Sequence, residues 1–182
     1  MKLSEVFSKL GLMNRIASNL RLMVQRPPRQ QYAAICYRAA KRGEFEVLVA
    51  TSRDTGRWVI PKGWPMENKL AHQVAEQEAR EEVGVKGKAE KKPFGFYHYR
   101  KGLDNGIKVP VRVQVHLLKV EGSCKDFKEK GVRQIEWVSP EEASNRVNEP
   151  ELKILMLQFA EKMRKPVQDL AAVGTLAIKA TG

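Results

Sequence analysis

This chain predicts a mixed α/β fold, one sheet with helices on both of its faces. Three observations carry that reading. Strand-like segments lie on both sides of one sharply patterned helix near the middle of the sequence. A second amphipathic helix closes the patterned part of the chain. No internal repeat divides it, and 182 residues suffice for a single domain with a real core. Strands that alternate with helices in this way bury a mixed sheet between helical layers.

Residues 1–28 read as a separate unit. Leu3, Val6, Phe7, Leu10, Met13, Ile16, Ala17, Leu20, Met23 and Val24 recur at three- and four-residue spacing, which makes an N-terminal amphipathic helix, ended by Pro27-Pro28. Its polar face is basic, with Lys2, Lys9, Arg15, Arg21 and Arg26 against Glu5. It has no continuous apolar stretch of the secretory kind. Three uses fit such a helix: docking on its own domain or on a sister subunit in a homo-oligomer, lying on a membrane surface, or serving as an organellar presequence.

The main domain is expected over residues 29–165. Residues 31–38 and 45–53 read as strands around the polar turn Lys41-Arg42-Gly43, and residues 57–61 as a short strand. An aromatic strand follows at residues 94–99. Asp104-Asn105-Gly106 signals a hairpin into a long strand over 107–120, with Val109, Val111, Val113 and Val115 on one face. Another strand spans 133–138. Ser139-Pro140-Glu141-Glu142 then reads as a capping box with Pro at the first helical position. A last helix over 150–164 would bury Leu152, Leu155, Met156, Phe159 and Met163. Residues 166–182 lack a clear period and read as a weakly structured tail.

Composition narrows the partners. The formal net charge of +12 favours anionic ones: polyphosphate, nucleic acid or an acidic membrane surface. Cys36 and Cys124 are far apart and in no ligand spacing, so they read as reduced thiols in a reducing compartment, and a cytoplasmic location is expected. No apolar run approaches transmembrane length.

The chain is organised around residues 63–85, GWPMENKLAHQVAEQEAREEVGV. A turn at Pro61-Lys62-Gly63 leads into a helix of about four turns, and Gly84 can end it in the left-handed conformation. At about 100° per residue, Ala71, Val74, Ala75 and Ala79 share one arc. Glu78 and Glu82 fall inside that arc and Glu81 at its edge. Three carboxylates therefore point at the protein, and burial demands a compensating charge. Arg or Lys partners from neighbouring strands would serve. So would a divalent cation, since spacing i, i+3, i+4 converges three carboxylates and an all-oxygen set suits Mg²⁺ or Mn²⁺.

The same stretch resembles the Nudix box, which reads Gly, five residues, Glu, seven residues, Arg-Glu, an apolar residue, any residue, Glu-Glu, any residue, Gly and an apolar residue. Gly63, Glu78, Ala79, Glu81, Glu82, Gly84 and Val85 match. Lys69 and Gln77 depart, standing where the family has a Glu and an Arg that commonly pair. The resemblance covers roughly residues 31–164. It implies the family's α/β/α sandwich, Glu78, Glu81 and Glu82 as metal ligands, Mg²⁺ (or Mn²⁺) as cofactor, and hydrolysis of a diphosphate linked to another group.

Diphosphate hydrolysis needs neutralised phosphates, an aligned water and a carboxylate to take its proton. Glu81 is the first candidate for that base and Glu129, in the loop 127–131, the second. Candidate phosphate contacts are Arg53, Arg57, Lys62 and Gly63 at the box, and Arg100, Lys101 and Arg133 from later strands. Trp64 would stack on a base or cover the loop. Arg53, Arg57-Trp58, Pro61-Lys62-Gly63, EEVGVKG and the later VRQIEWVSPEEA look like the branch acting on diphosphoinositol polyphosphates and dinucleoside polyphosphates. Lys62-Gly63-Trp64 keeps one Gly of that branch's glycine triplet. Competing readings are trimming of RNA 5′ ends and a non-catalytic Nudix-fold binding module.

Overall fold

The computed structural model describes residues 27–103 and 106–179. The N-terminal helix expected over residues 1–28 lies almost wholly outside them. Eight strands form one sheet. Its main path runs β3 (Trp58–Val59), β2 (Phe45–Thr51), β1 (Arg29–Ala39), β7 (Lys108–Ser123), β5 (Val85–Ala89). β4 (Lys62–Gly63) adds to β1, β6 (Gly95–Gly102) to β7, and β8 (Ile135–Val138) to β2. β1 and β7 run parallel and the other strand pairs antiparallel, so the sheet is mixed, as expected.

Helix α1 (Ala71–Val83) covers one face; α2 (Pro140–Arg146) and α3 (Pro150–Lys179) cover the other. Strand alternation sorts the core between them. Val111, Val113, Val115 and Leu117 of β7 pack with Ala33, Ile35, Leu152, Leu155, Met156 and Phe159. On the α1 face, Ala34, Cys36 and Ala50 meet Ala75, Ala79 and Val83. Small residues on both sides bring the α1 backbone close to the sheet, and this closeness positions the site.

Several local expectations hold. Gly84 ends α1 at φ 66°, and its N–H reaches the carbonyls of Ala79 and Arg80. Ser139 Oγ accepts from the Glu142 N–H at 3.1 Å. β6 and β7 form a hairpin with Gly106 at φ 78°.

Others are corrected. Lys62-Gly63 is a strand paired to Tyr32 and Ala33, not a turn. β5 went unseen because Lys86, Gly87 and Lys88 hide a two-residue alternation of Val85 and Ala89. Its partner β7 therefore runs on to Ser123. β8 begins at Ile135, leaving Arg133 in the preceding turn. The α3 backbone stays helical past Arg164 to Lys179.

Candidate active site

The carboxylates of α1 sit where the helical wheel puts them. Glu82 is buried and Glu78 and Glu81 are half-buried. Glu82 points under the sheet edge: its Oε2 accepts from the Lys62 N–H at 3.1 Å and its Oε1 lies 2.6 Å from Arg133 Nη2. Burial pushes its carboxyl upward, against the pull of Lys62 and Arg133.

Arg133 is the fixed cation of the site. Its side chain is only 6% exposed. It binds Glu82, the Thr51 carbonyl at 2.9 Å and Glu129 at 2.5 Å. Its guanidinium is thus spent on protein groups, so the structure makes it a brace for two carboxylates and not a free phosphate contact. The loop that carries Glu129 is tied to the end of α1. Cys124 N–H donates to the Gly84 carbonyl at 2.7 Å and Glu129 N–H to the Glu81 carbonyl at 3.0 Å. The Phe127 ring lies where a Gly84 side chain would sit. Gly84 is therefore needed both for its positive φ and for this close approach.

Glu81 is held from two sides. Gln77 Nε2 donates to its Oε1 at 2.5 Å and Lys128 Nζ to its Oε2 at 2.9 Å. These bonds keep its carboxyl below the usual range. Lys69 donates in turn to Gln77 Oε1. The two residues that depart from the box pattern thus meet each other, and their contact braces the loop on the helix with an ammonium–amide bond.

Glu78 differs from both neighbours. Among the described residues it makes no hydrogen bond or ion pair. Burial raises its carboxyl to about 7, and the like charges of Glu82 and Glu81 add to that. A Cβ at Gly63 would overlap its carboxyl group, so Gly63 leaves the space Glu78 occupies.

Among the described residues no group of three or more His, Cys, Asp or Glu side chains is already gathered as a metal cage. The reason is visible: Glu81 and Glu82 are each drawn onto a protein cation. The donor set nevertheless fits a hard divalent ion. It is all oxygen, carries like charges on successive helical turns, and includes one carboxylate that no described residue hydrogen-bonds.

A cavity of about 480 Å³ opens beside these groups. It brings together Glu78, Glu81, Glu82, Glu129, Arg53, Lys62, Gly63, Lys101 and Arg133, all expected from the sequence. Arg53 is 3.2 Å from Glu129, and Lys101 is 3.9 Å from Asp54. The Lys62 ammonium lies over the Tyr99 ring, and burial lowers its pKa. Two expected residues are not brought in. Arg57 turns to Glu149 at 3.3 Å and Thr55 at 3.1 Å. Arg100 faces away, because in β6 it alternates with Tyr99 and Lys101, which point inward. Lys128 and Gln31 line the cavity without having been singled out. For Lys128 the adjacent Glu129 was the available signal. Trp64 stands at the rim, 37% exposed, while Trp58 packs against the core.

Known proteins resemble this chain in sequence or in fold. Nudix hydrolase 12, mitochondrial, of Arabidopsis thaliana is 28% identical over 103 residues, 55% of this chain and 51% of that protein. The chain thus spans about half the length of the curated relative it matches. A C. elegans Ap4A hydrolase structure superposes with TM-score 0.57 at 18% identity, over 75% of this chain and 99% of that one. A NUDIX hydrolase from Nitrosomonas europaea does so with TM-score 0.57 at 17% identity, over 75% and 91%. The NUDIX domain model itself matches residues 28–159, from the start of the sheet into α3, and by that extent the chain belongs to the NUDIX family.

Proposed function

We propose that this chain is a divalent-cation-dependent pyrophosphohydrolase that cleaves a diphosphate bond in an anionic polyphosphate. Glu78 carries the proposal: a half-buried carboxylate, crowded by Glu81 and Glu82, that makes no hydrogen bond or ion pair among the described residues and feels Lys128 only at a distance. Such a group is stabilised by a ligand that brings positive charge. Glu78, Glu81 and Glu82 would hold Mg²⁺ or Mn²⁺, which supplies charge neutralisation at the phosphates and a more acidic water.

The protein's own groups do the rest. Arg133 fixes Glu82 and Glu129 from beneath, so both carboxylates keep their places without a ligand. Arg53 and Lys101 border the cavity and Lys62 lies deeper in it, as point or forked donors to phosphate oxygens. Glu81, at the cavity edge, takes the proton of the attacking water; Glu129 is the alternate acceptor. We place the catalytic unit at residues 29–165. The segment of residues 1–28, expected to be helical, we assign to docking on its own domain or on a sister subunit and not to chemistry.

Substrate class follows from charge. Arg53, Lys62, Lys101 and Lys128 line the cavity, and with a cation on Glu78, Glu81 and Glu82 they would outnumber the remaining Asp54 and Glu129 and suit more than a single diphosphate. A solved neighbour of this fold is named an Ap4A hydrolase. We extend dinucleoside and diphosphoinositol polyphosphates to this chain on those cations. Among the described residues no helix is long and apolar enough to cross a membrane. The two free thiols, Cys36 buried, favour a reducing compartment, and we propose the cytoplasm.

The test is a substrate panel with Mg²⁺ or Mn²⁺: a diphosphoinositol polyphosphate, a dinucleoside tetraphosphate, a nucleoside diphosphate derivative and a 5′-triphosphorylated RNA, scored by released phosphate. Cation-dependent cleavage of the first two is expected. Preference for the RNA would move the assignment to RNA 5′ ends, and no cleavage with intact cation binding would make the domain a binding module.

A further inference from the structure

Two of the cations that face the carboxylates of this site, Arg133 and Lys128, are held in opposite ways. Arg133 is 6% exposed and bound by three protein groups. Lys128 is 71% exposed, and among the described residues the Glu81 carboxylate, at 2.9 Å, is its one hydrogen-bond partner. An exposed pair of this kind is worth little and is readily exchanged. Its backbone, by contrast, is pinned. The residues on either side are fixed through the Glu129 N–H on the Glu81 carbonyl and the Phe127 ring on Gly84. If the ammonium leaves Glu81, the anchored backbone therefore keeps it within reach of the cavity it lines. That cavity shares Lys128, Gln77 and Glu81 with a second groove of about 810 Å³ on the outer side of α1.

We propose that Lys128 is an exchangeable counter-ion: it occupies Glu81 until a divalent cation takes that carboxylate, and its ammonium is then handed to a substrate phosphate. This rests on the cation reading above. It makes Lys128 a competitor of the cation and a partner of the substrate, two roles that one substitution separates by sign. Lys69, one hydrogen bond further out through Gln77, adds positive charge in the same direction.

The experiment compares wild type, Lys128→Met and Lys128→Arg in the full chain. Mn²⁺ affinity is measured by calorimetry without substrate. Binding of a methylene-bridged, non-hydrolysable nucleoside triphosphate is then measured at saturating Mn²⁺. Lys128→Met should bind Mn²⁺ about two- to fivefold more tightly, the worth of an exposed ion pair. It should bind the triphosphate roughly tenfold or more weakly, the worth of a charge-assisted hydrogen bond. Lys128→Arg should restore both. Equal Mn²⁺ affinity in wild type and Lys128→Met overturns the exchange and leaves the hydrolase reading standing. Unchanged triphosphate binding overturns the handover. Mn²⁺ binding to none of the three proteins overturns the proposal together with the cation reading.

Discussion

Gly63→Ala should disable the site while sparing the fold. The added Cβ would stand 2.8 Å from Glu78 Cγ and overlap the carboxyl group beyond it. Gly63 is paired in the sheet to Tyr32, and Glu78 is the far end of a flexible side chain, so Glu78 gives way. Turning it off its rotamer and overpacking the contact costs about 1–2 kcal/mol. For a chain of this size that lowers Tm by about 2–8 °C. The chemical cost is larger. A carboxylate displaced by an ångström or more would no longer meet a cation held with Glu81 and Glu82, and such misplacement costs about a hundredfold in turnover. Phosphate release from a dinucleoside tetraphosphate with Mg²⁺, run beside thermal unfolding, separates the two effects. A variant with wild-type turnover would refute the claim that Gly63 exists to seat Glu78.

Other perturbations probe other parts. Arg53→Ala should raise KM for a diphosphoinositol polyphosphate about five- to thirtyfold, the cost of a partly exposed charge-assisted bond, and raise it less for a simple nucleoside diphosphate derivative. Equal losses on the two substrates would make Arg53 a contact to the shared diphosphate. Burial first, and the nearby Glu149 second, push the Tyr99 hydroxyl up to about 12 while it donates to Gln31 at 2.7 Å. The unfolded chain loses that proton near pH 10, so stability is full below pH 10 and falls as pH rises toward 12. Tyr99→Phe should flatten that alkaline slope in urea titrations; an unchanged slope would contradict it. Deleting residues 1–28 should leave circular dichroism of a folded domain, because the NUDIX match begins at residue 28, and should alter the oligomeric state by light scattering. An unfolded product would make the segment part of the core.

What the sequence made legible was whatever a single element decides. The helical wheel placed Glu78 and Glu82 inward, because small Ala75 and Ala79 share their arc and pack on the sheet. Gly84, Ser139 and the β7 valines obey rules that act over a few residues. Other features depend on partners distant in sequence. Two-residue β4 carries no pattern of its own and exists through Tyr32 and Ala33. Arg57 looked like a phosphate ligand until Glu149, far along the chain, claimed it. Arg133 looked free until Glu82, Glu129 and Thr51 used its donors. Lys101 and Arg100 are neighbours in sequence, and only the register of β6, with Tyr97 and Tyr99 turned to the core side, decides which one faces the cavity. The exchange of Lys69 and Gln77 for the box pair was legible as a departure, but their mutual contact was not.

The central claim is that Glu78 awaits a divalent cation, and the thermal shift produced by Mn²⁺ in wild type and Glu78→Gln tests it most directly. Wild type at a hundredfold excess over Kd should gain about 2.7 kcal/mol, or about 5–11 °C in Tm. Glu78→Gln removes a crowded carboxylate at nearly constant volume, so without cation it should melt no lower than wild type, and with Mn²⁺ it should gain little. A wild type that Mn²⁺ leaves unshifted, or a Glu78→Gln variant that gains as much as wild type, would contradict the account.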